Sequence, residues 1–227
     1  MRFTALLRKE VRECLPWLLL AAIVLLVIGG LCLREEQAYG WYSRLAAGAL
    51  LSPEIRIHYS QLEPIGPLLL LTSIGLGLAL GVRQFWVPFF TRTWAFLIHR
   101  SAGRQTLLWA KFAAAALTFG VALGTTWLVL YWYAGRPEFF ILPPPSRTFI
   151  EGWIFIALGL VVYLGTALTG LSTVRWYTTK IFGLAFATVV IFATVFQWRL
   201  SWAFALITLG AIVLILQAIN TILRREF

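Results

Sequence analysis

The chain has 227 residues, of which 60% are hydrophobic and 12% charged, with no Asp, and it carries a formal charge of +10. A soluble domain sits nearer half apolar and a quarter charged, so so few charges do not cover a watery surface, and lipid is the solvent this composition fits. The charge excludes a nucleic-acid binder, because the basic residues lie between apolar runs instead of along one solvated stripe. Two cysteines, Cys14 and Cys32, bracket the first apolar run, too far apart on one helix to bridge.

The first element in chain order is an amphipathic stretch. Phe3, Leu6, Leu7 and Val11 recur at helical spacing, with Arg8 and Lys9 between them. This predicts a helix at the inner membrane interface that turns into the bilayer at Pro16. Leu15–Leu33 follows as a retained spanning helix, since Arg34-Glu35-Glu36 stands where a signal peptide would carry small cleavage-site residues. Five more apolar runs follow at Ile65–Val82, Leu107–Tyr133, Trp153–Val174, Ile181–Trp198 and Trp202–Leu223. Each is long enough, at about 1.5 Å per residue, for a hydrocarbon core of about 30 Å. The fifth is the shortest. The prediction is an all-α integral membrane protein, one transmembrane domain over residues 1–227, with six spans.

Orientation follows from the connections. With an N-terminus in the cytoplasm, the inner segments carry thirteen Lys and Arg, among them Arg8, Lys9, Arg100, Arg104 and Lys111, and the outer segments carry six. The acidic residues split the other way. The positive-inside rule therefore predicts that both ends are cytoplasmic, and an even span count keeps Arg224-Arg225 inside. The connections at 34–64 and 135–152 are predicted to be outer loops.

The segment Arg83–Lys111 carries the most information. Trp94, Phe96 and Leu97 make a short apolar stretch, followed by the basic turn His99-Arg100-Ser101-Ala102-Gly103-Arg104. Aromatic and Arg side chains on a cytoplasmic surface suit a protein partner. The stretch Phe96 to Arg104, followed by Leu107-Leu108 and Lys111, resembles a signature between the second and third spans of ABC-2 type transporter permeases. Leu6-Leu7-Arg8-Lys9-Glu10-Val11-Arg12-Glu13 is similar to the leucine-arginine-lysine-glutamate opening of that family before its first span. Where many members carry acidic residues and a Gly-Thr, this chain reads Val87 to Trp94 without an acid, and Ser101-Ala102 replaces the usual proline.

The resemblance implies a permease subunit of an ABC transporter, paired with a second permease chain, identical or homologous. It implies a cytoplasmic coupling helix with Trp94, Phe96, Leu97, His99, Arg100 and Arg104 as the residues that dock on a separate ATPase. The chain has no GxxxxGK[ST] phosphate loop, so the partner ATPase would bind ATP and Mg and this chain would hold no cofactor. The expected place is a bacterial inner membrane, in contact with lipid. Glycines such as Gly75, Gly77 and Gly165 inside apolar runs are read as close helix packing, and the hydroxyls of Thr72, Ser73, Thr118, Thr125, Thr126, Thr166, Thr169, Ser172, Thr188 and Thr194 as bonds between helices.

Almost no ionisable group is expected deep in a span. That argues against a proton relay or ion filter and suits an amphiphilic or lipid-like cargo. His58 with Glu54 and Glu63 lacks the HExxH spacing of a zinc site. Glu35-Glu36 is similar to the acidic pair of intramembrane prenyl-protein proteases, but Gly40 stands where that motif needs Arg. No catalytic residues, metal ligands or cargo-binding residues are assigned, and the chain is expected not to be an enzyme. The competing readings are an accessory or assembly membrane protein without a transport path and, ranked below it, a membrane-embedded enzyme.

Overall fold

The computed structural model describes residues 2–50, 62, 65–91, 103–136, 144–172, 181–197 and 199–224, and of residues 2, 35–50, 89, 104 and 224 it describes only the backbone. The regular secondary structure among these residues is all helix. Helix α1 spans Arg2–Leu50 and α2 Ile65–Gly81; a π-helical turn, Val82–Trp86, continues α2 into the short α3, Val87–Phe90. Helix α4 spans Arg104–Thr118 and runs through a second π-helical turn, Phe119–Gly124, into α5, Thr125–Ala134. Helices α6 (Ser146–Leu171), α7 (Phe182–Val195) and α8 (Leu200–Arg224) complete the set.

Among the described residues, five helical segments are long and apolar enough to cross a membrane: Phe3–Arg34, Ile65–Trp86, Gln105–Ala134, Ser146–Leu171 and Leu200–Leu223. The chain is thus multi-pass by length and composition. The predicted fifth span, Ile181–Trp198, forms a helix only over Phe182–Val195. Its fourteen residues reach about 21 Å, less than the hydrocarbon thickness.

Three boundaries are corrected. The predicted interfacial helix with a turn at Pro16 is not a separate element, because α1 runs unbroken through Pro16. The reason lies in its buried stripe: Glu10, Cys14, Ala21, Leu25, Gly29 and Leu33 recur four or seven residues apart and dock one continuous face. That docking outweighs the hydrogen bond that a mid-helix proline forfeits. The predicted polar connection after Leu33 is likewise helical as far as Leu50. Residues 146–152, predicted as loop, form the first turns of α6, where Arg147 and Glu151 pair at i,i+4.

Helix α6 is the centre. Residues 161–171 are buried without a break, and α2, α7 and α8 pack around it, while α1 lies against α4 and α2. The outward faces are the reverse of a soluble protein: Leu20, Ile23, Val27, Leu209, Ile212 and Leu216 are all exposed. Large aliphatic side chains in continuous exposed rows suit acyl chains.

Small residues set the closest approaches. A Cβ on Gly159 would lie 2.6 Å from the Ser73 carbonyl oxygen, and one on Gly165 would lie 2.6 Å from the Gly183 carbonyl oxygen. The close-packing expectation thus holds at Gly77, which abuts Gly159, and at Gly165; Gly75 has nothing within 4 Å of its notional Cβ. Hydroxyls behave differently from expectation. Thr72, Thr118, Thr125, Thr126, Thr166 and Thr188 donate to carbonyls one turn back in their own helices. Bonds between helices come from Ser73, which donates to the Phe155 carbonyl at 2.8 Å, and from Thr169, which accepts the Leu184 amide at 3.2 Å. A short hydroxyl reaches its own helix's i−4 carbonyl at no entropic cost beyond its rotamer, so it crosses only where glycines bring the helices together.

Candidate functional site

The polar centre of the bundle lies where α1, α4, α6 and the first π-helical turn meet. The apolar stripe of α1 places Glu10 four residues before Cys14, facing inward. On α4, Leu107, Leu108, Lys111, Phe112 and Ala115 form the inward face. Glu10 and Lys111 are each 3% exposed. Lys111 Nζ donates to both Glu10 oxygens, at 2.9 and 3.0 Å. A carboxylate and an ammonium taken out of water are tolerable only when paired this closely. The Lys111 ammonium also lies 5.9 Å from the Phe85 ring centroid, within reach of a cation–π attraction.

Phe85, Phe112 and Tyr163 form a triangle of rings with centroids 6.1 to 6.2 Å apart. Tyr163 donates its hydroxyl proton to Gln84 Oε1 at 2.5 Å, and Gln84 Nε2 donates to Cys14 Sγ at 3.1 Å. Gln84 and Phe85 are both buried neighbours within the π-helical turn. The wider turn directs two consecutive side chains into the bundle, and such turns recur at functional sites.

Chemically, this cluster is a fastening. Its charges are neutralised, its hydrogen bonds run from helix to helix, and it ties α1, α2, α4 and α6 at one level. Tyr163→Phe would leave the buried Gln84 oxygen without its donor. The expected loss is about 1–3 kcal/mol of stability, read as a lower melting temperature of detergent-purified protein, with no change in oligomeric state.

The sequence reading assigned Glu10 and Lys111 to the aqueous side; the structure buries both. The available signal was an acid on the apolar face of one helix and a base on the apolar face of another. Of the predicted interfacial residues, Arg8 and Lys9 are exposed, Lys9 lying 3.7 Å from Glu13, while Leu6 packs against the core and Leu7 and Val11 are half-buried. Phe3 stays exposed. Of the predicted docking residues, Trp94, Phe96, Leu97, His99 and Arg100 lie outside the described residues, and Arg104 opens α4, two turns before Lys111. His58, Glu54 and Glu63 also lie outside them.

Compared with known protein families, curated proteins and solved structures, the chain gave no match.

Proposed function

We propose that this chain is the permease subunit of an ABC-2 type transporter, a non-catalytic membrane component driven by a separate ATPase that supplies the ATP and Mg chemistry. The observation that carries the reading is the Glu10–Lys111 ion pair. The two stretches that resemble the family, Leu6 to Glu13 and Phe96 to Lys111, each contain one of the two residues that pair. A family signature whose distant halves share a buried charge pair has a structural reason to occur jointly. In this reading the segment ahead of Arg104 is the coupling helix, and Lys111 passes its displacement to α1.

The finer features belong to the same proposal. There are six spans, with Phe182–Val195 as the core of the fifth, and both ends face the cytoplasm of a bacterial inner membrane. A second permease chain completes the path for an amphiphilic or lipid-like cargo.

The test is co-purification from native membranes with and without Arg100→Glu and Arg104→Glu. A P-loop ATPase should accompany the unaltered chain and be lost from the double variant. Retention of the ATPase by the variant would remove the docking assignment. Absence of any ATPase from the unaltered sample under gentle solubilisation would favour an accessory membrane protein instead.

A further inference from the structure

At the end of the bundle opposite the Glu10–Lys111 pair, a cleft of ≈ 380 Å³ opens between α6, α7 and α8. That volume falls in the range of small-ligand sites. Its lining is graded. At the mouth stand Arg147, Glu151 and Gln197; deeper lie Thr194 and then Leu158 and Ala203. From Arg147 to Leu158 the wall descends about 16 Å along α6. Arg147 Nε donates to Glu151 Oε1 at 2.8 Å, so the mouth presents one charge of each sign. Thr194 is 3% exposed, and its Oγ1 has no hydrogen-bond partner. Every other threonine hydroxyl described above bonds to a carbonyl. A buried hydroxyl left unpaired has a cost that a bound acceptor or donor removes.

We infer that this cleft binds one phospholipid with a zwitterionic head group. The phosphate sits on Arg147 and the ammonium on Glu151, an ester oxygen accepts from Thr194, and the upper acyl chain lies against Leu158 and Ala203. A purely anionic head would satisfy Arg147 and be repelled by Glu151; a neutral diacylglycerol would use neither. This inference does not rest on the permease reading, since it concerns lipid held by this chain alone.

The experiment uses the full chain in dodecyl maltoside with a trace of phosphatidylethanolamine that carries a diazirine on its acyl chain. After irradiation, the labelled peptides are mapped by mass spectrometry. Label should concentrate in residues 147–158 and 194–203. Unlabelled phosphatidylethanolamine should compete at least about tenfold better than phosphatidylglycerol, the effect of about one charge-assisted contact. Thr194→Val should reduce labelling about three- to tenfold without lowering the melting temperature, because it removes an unpaired hydroxyl. Val195→Trp, at an exposed position bordering the cleft, should abolish labelling by occupying the space. Should Val195→Trp not fold, Gln197→Trp fills the mouth from another exposed position and decides the matter. Label spread evenly over the exposed helix faces, labelling unchanged in the filled variant, or equal competition by phosphatidylglycerol would each overturn the assignment.

Discussion

Lys111→Met alone is expected to destabilise the bundle by about 3–5 kcal/mol, because it strands the Glu10 carboxylate at 3% exposure without its cation. Glu10→Leu alone should do similar damage by stranding the ammonium. The double variant, Glu10→Leu with Lys111→Met, should recover most of the loss. Replacing both members of a buried pair with apolar groups of similar volume removes the desolvation cost along with the attraction, and the outcome is often neutral or stabilising. Unfolding in mixed micelles, followed by circular dichroism across the four proteins, measures the coupling directly. Additive losses in the double variant would show that the two residues act separately and that the close contact contributes nothing. The same set separates stability from coupling. If the chain is the permease subunit proposed above and the pair transmits loop motion, the double variant should fold well, still hold an ATPase and fail to couple its hydrolysis to transport.

Gly159→Leu is the second large effect. At this crossing α6 meets α2 backbone to backbone, and a Cβ would already lie 2.6 Å from the Ser73 carbonyl oxygen and 2.7 Å from Phe119 Cε1. The first is backbone, and the second belongs to a ring buried in the core. The Ser73–Phe155 bond, which depends on the same approach, would part as the helices separate. Overpacking of this kind costs about 1–3 kcal/mol when side chains yield, and here backbone must move, so more is expected. The readout is yield of monodisperse protein on size-exclusion chromatography. Gly75→Ala is the matched control: it lies on α2, the helix that Gly159 packs against, with nothing within 4 Å of its notional Cβ, so yield and melting temperature should be unchanged. An unaffected Gly159→Leu would mean that α2 and α6 do not meet at this glycine.

Much of the architecture was legible because lipid solvation is a composition rule that acts over long windows. The apolar runs at 65–82, 107–133, 153–174 and 202–223 each recur as helices with ends moved by up to about two turns. The glycines at 77 and 165 could be read as packing positions because a Cβ-less residue in an apolar run has few other uses. The unbroken passage of α1 through Pro16 was not legible, since local chemistry marks proline as a break and only docking against α4 and α2 holds the helix straight through.

By itself, then, the sequence determined that this is a helical membrane protein with several spans, because hydropathy and length are local sums. It also marked the two stretches, around Glu10 and Lys111, that carry the family resemblance. Only the tertiary structure decided that these stretches join, since their residues are 101 positions apart, and a charge reads as solvated until its partner is known. The same holds for Thr194: a threonine in a span is ordinary, and it takes the packed neighbours to show that its hydroxyl is buried beside a cleft with nothing to bond. Burial and pairing are properties of the assembled helices, and no window along one helix contains them.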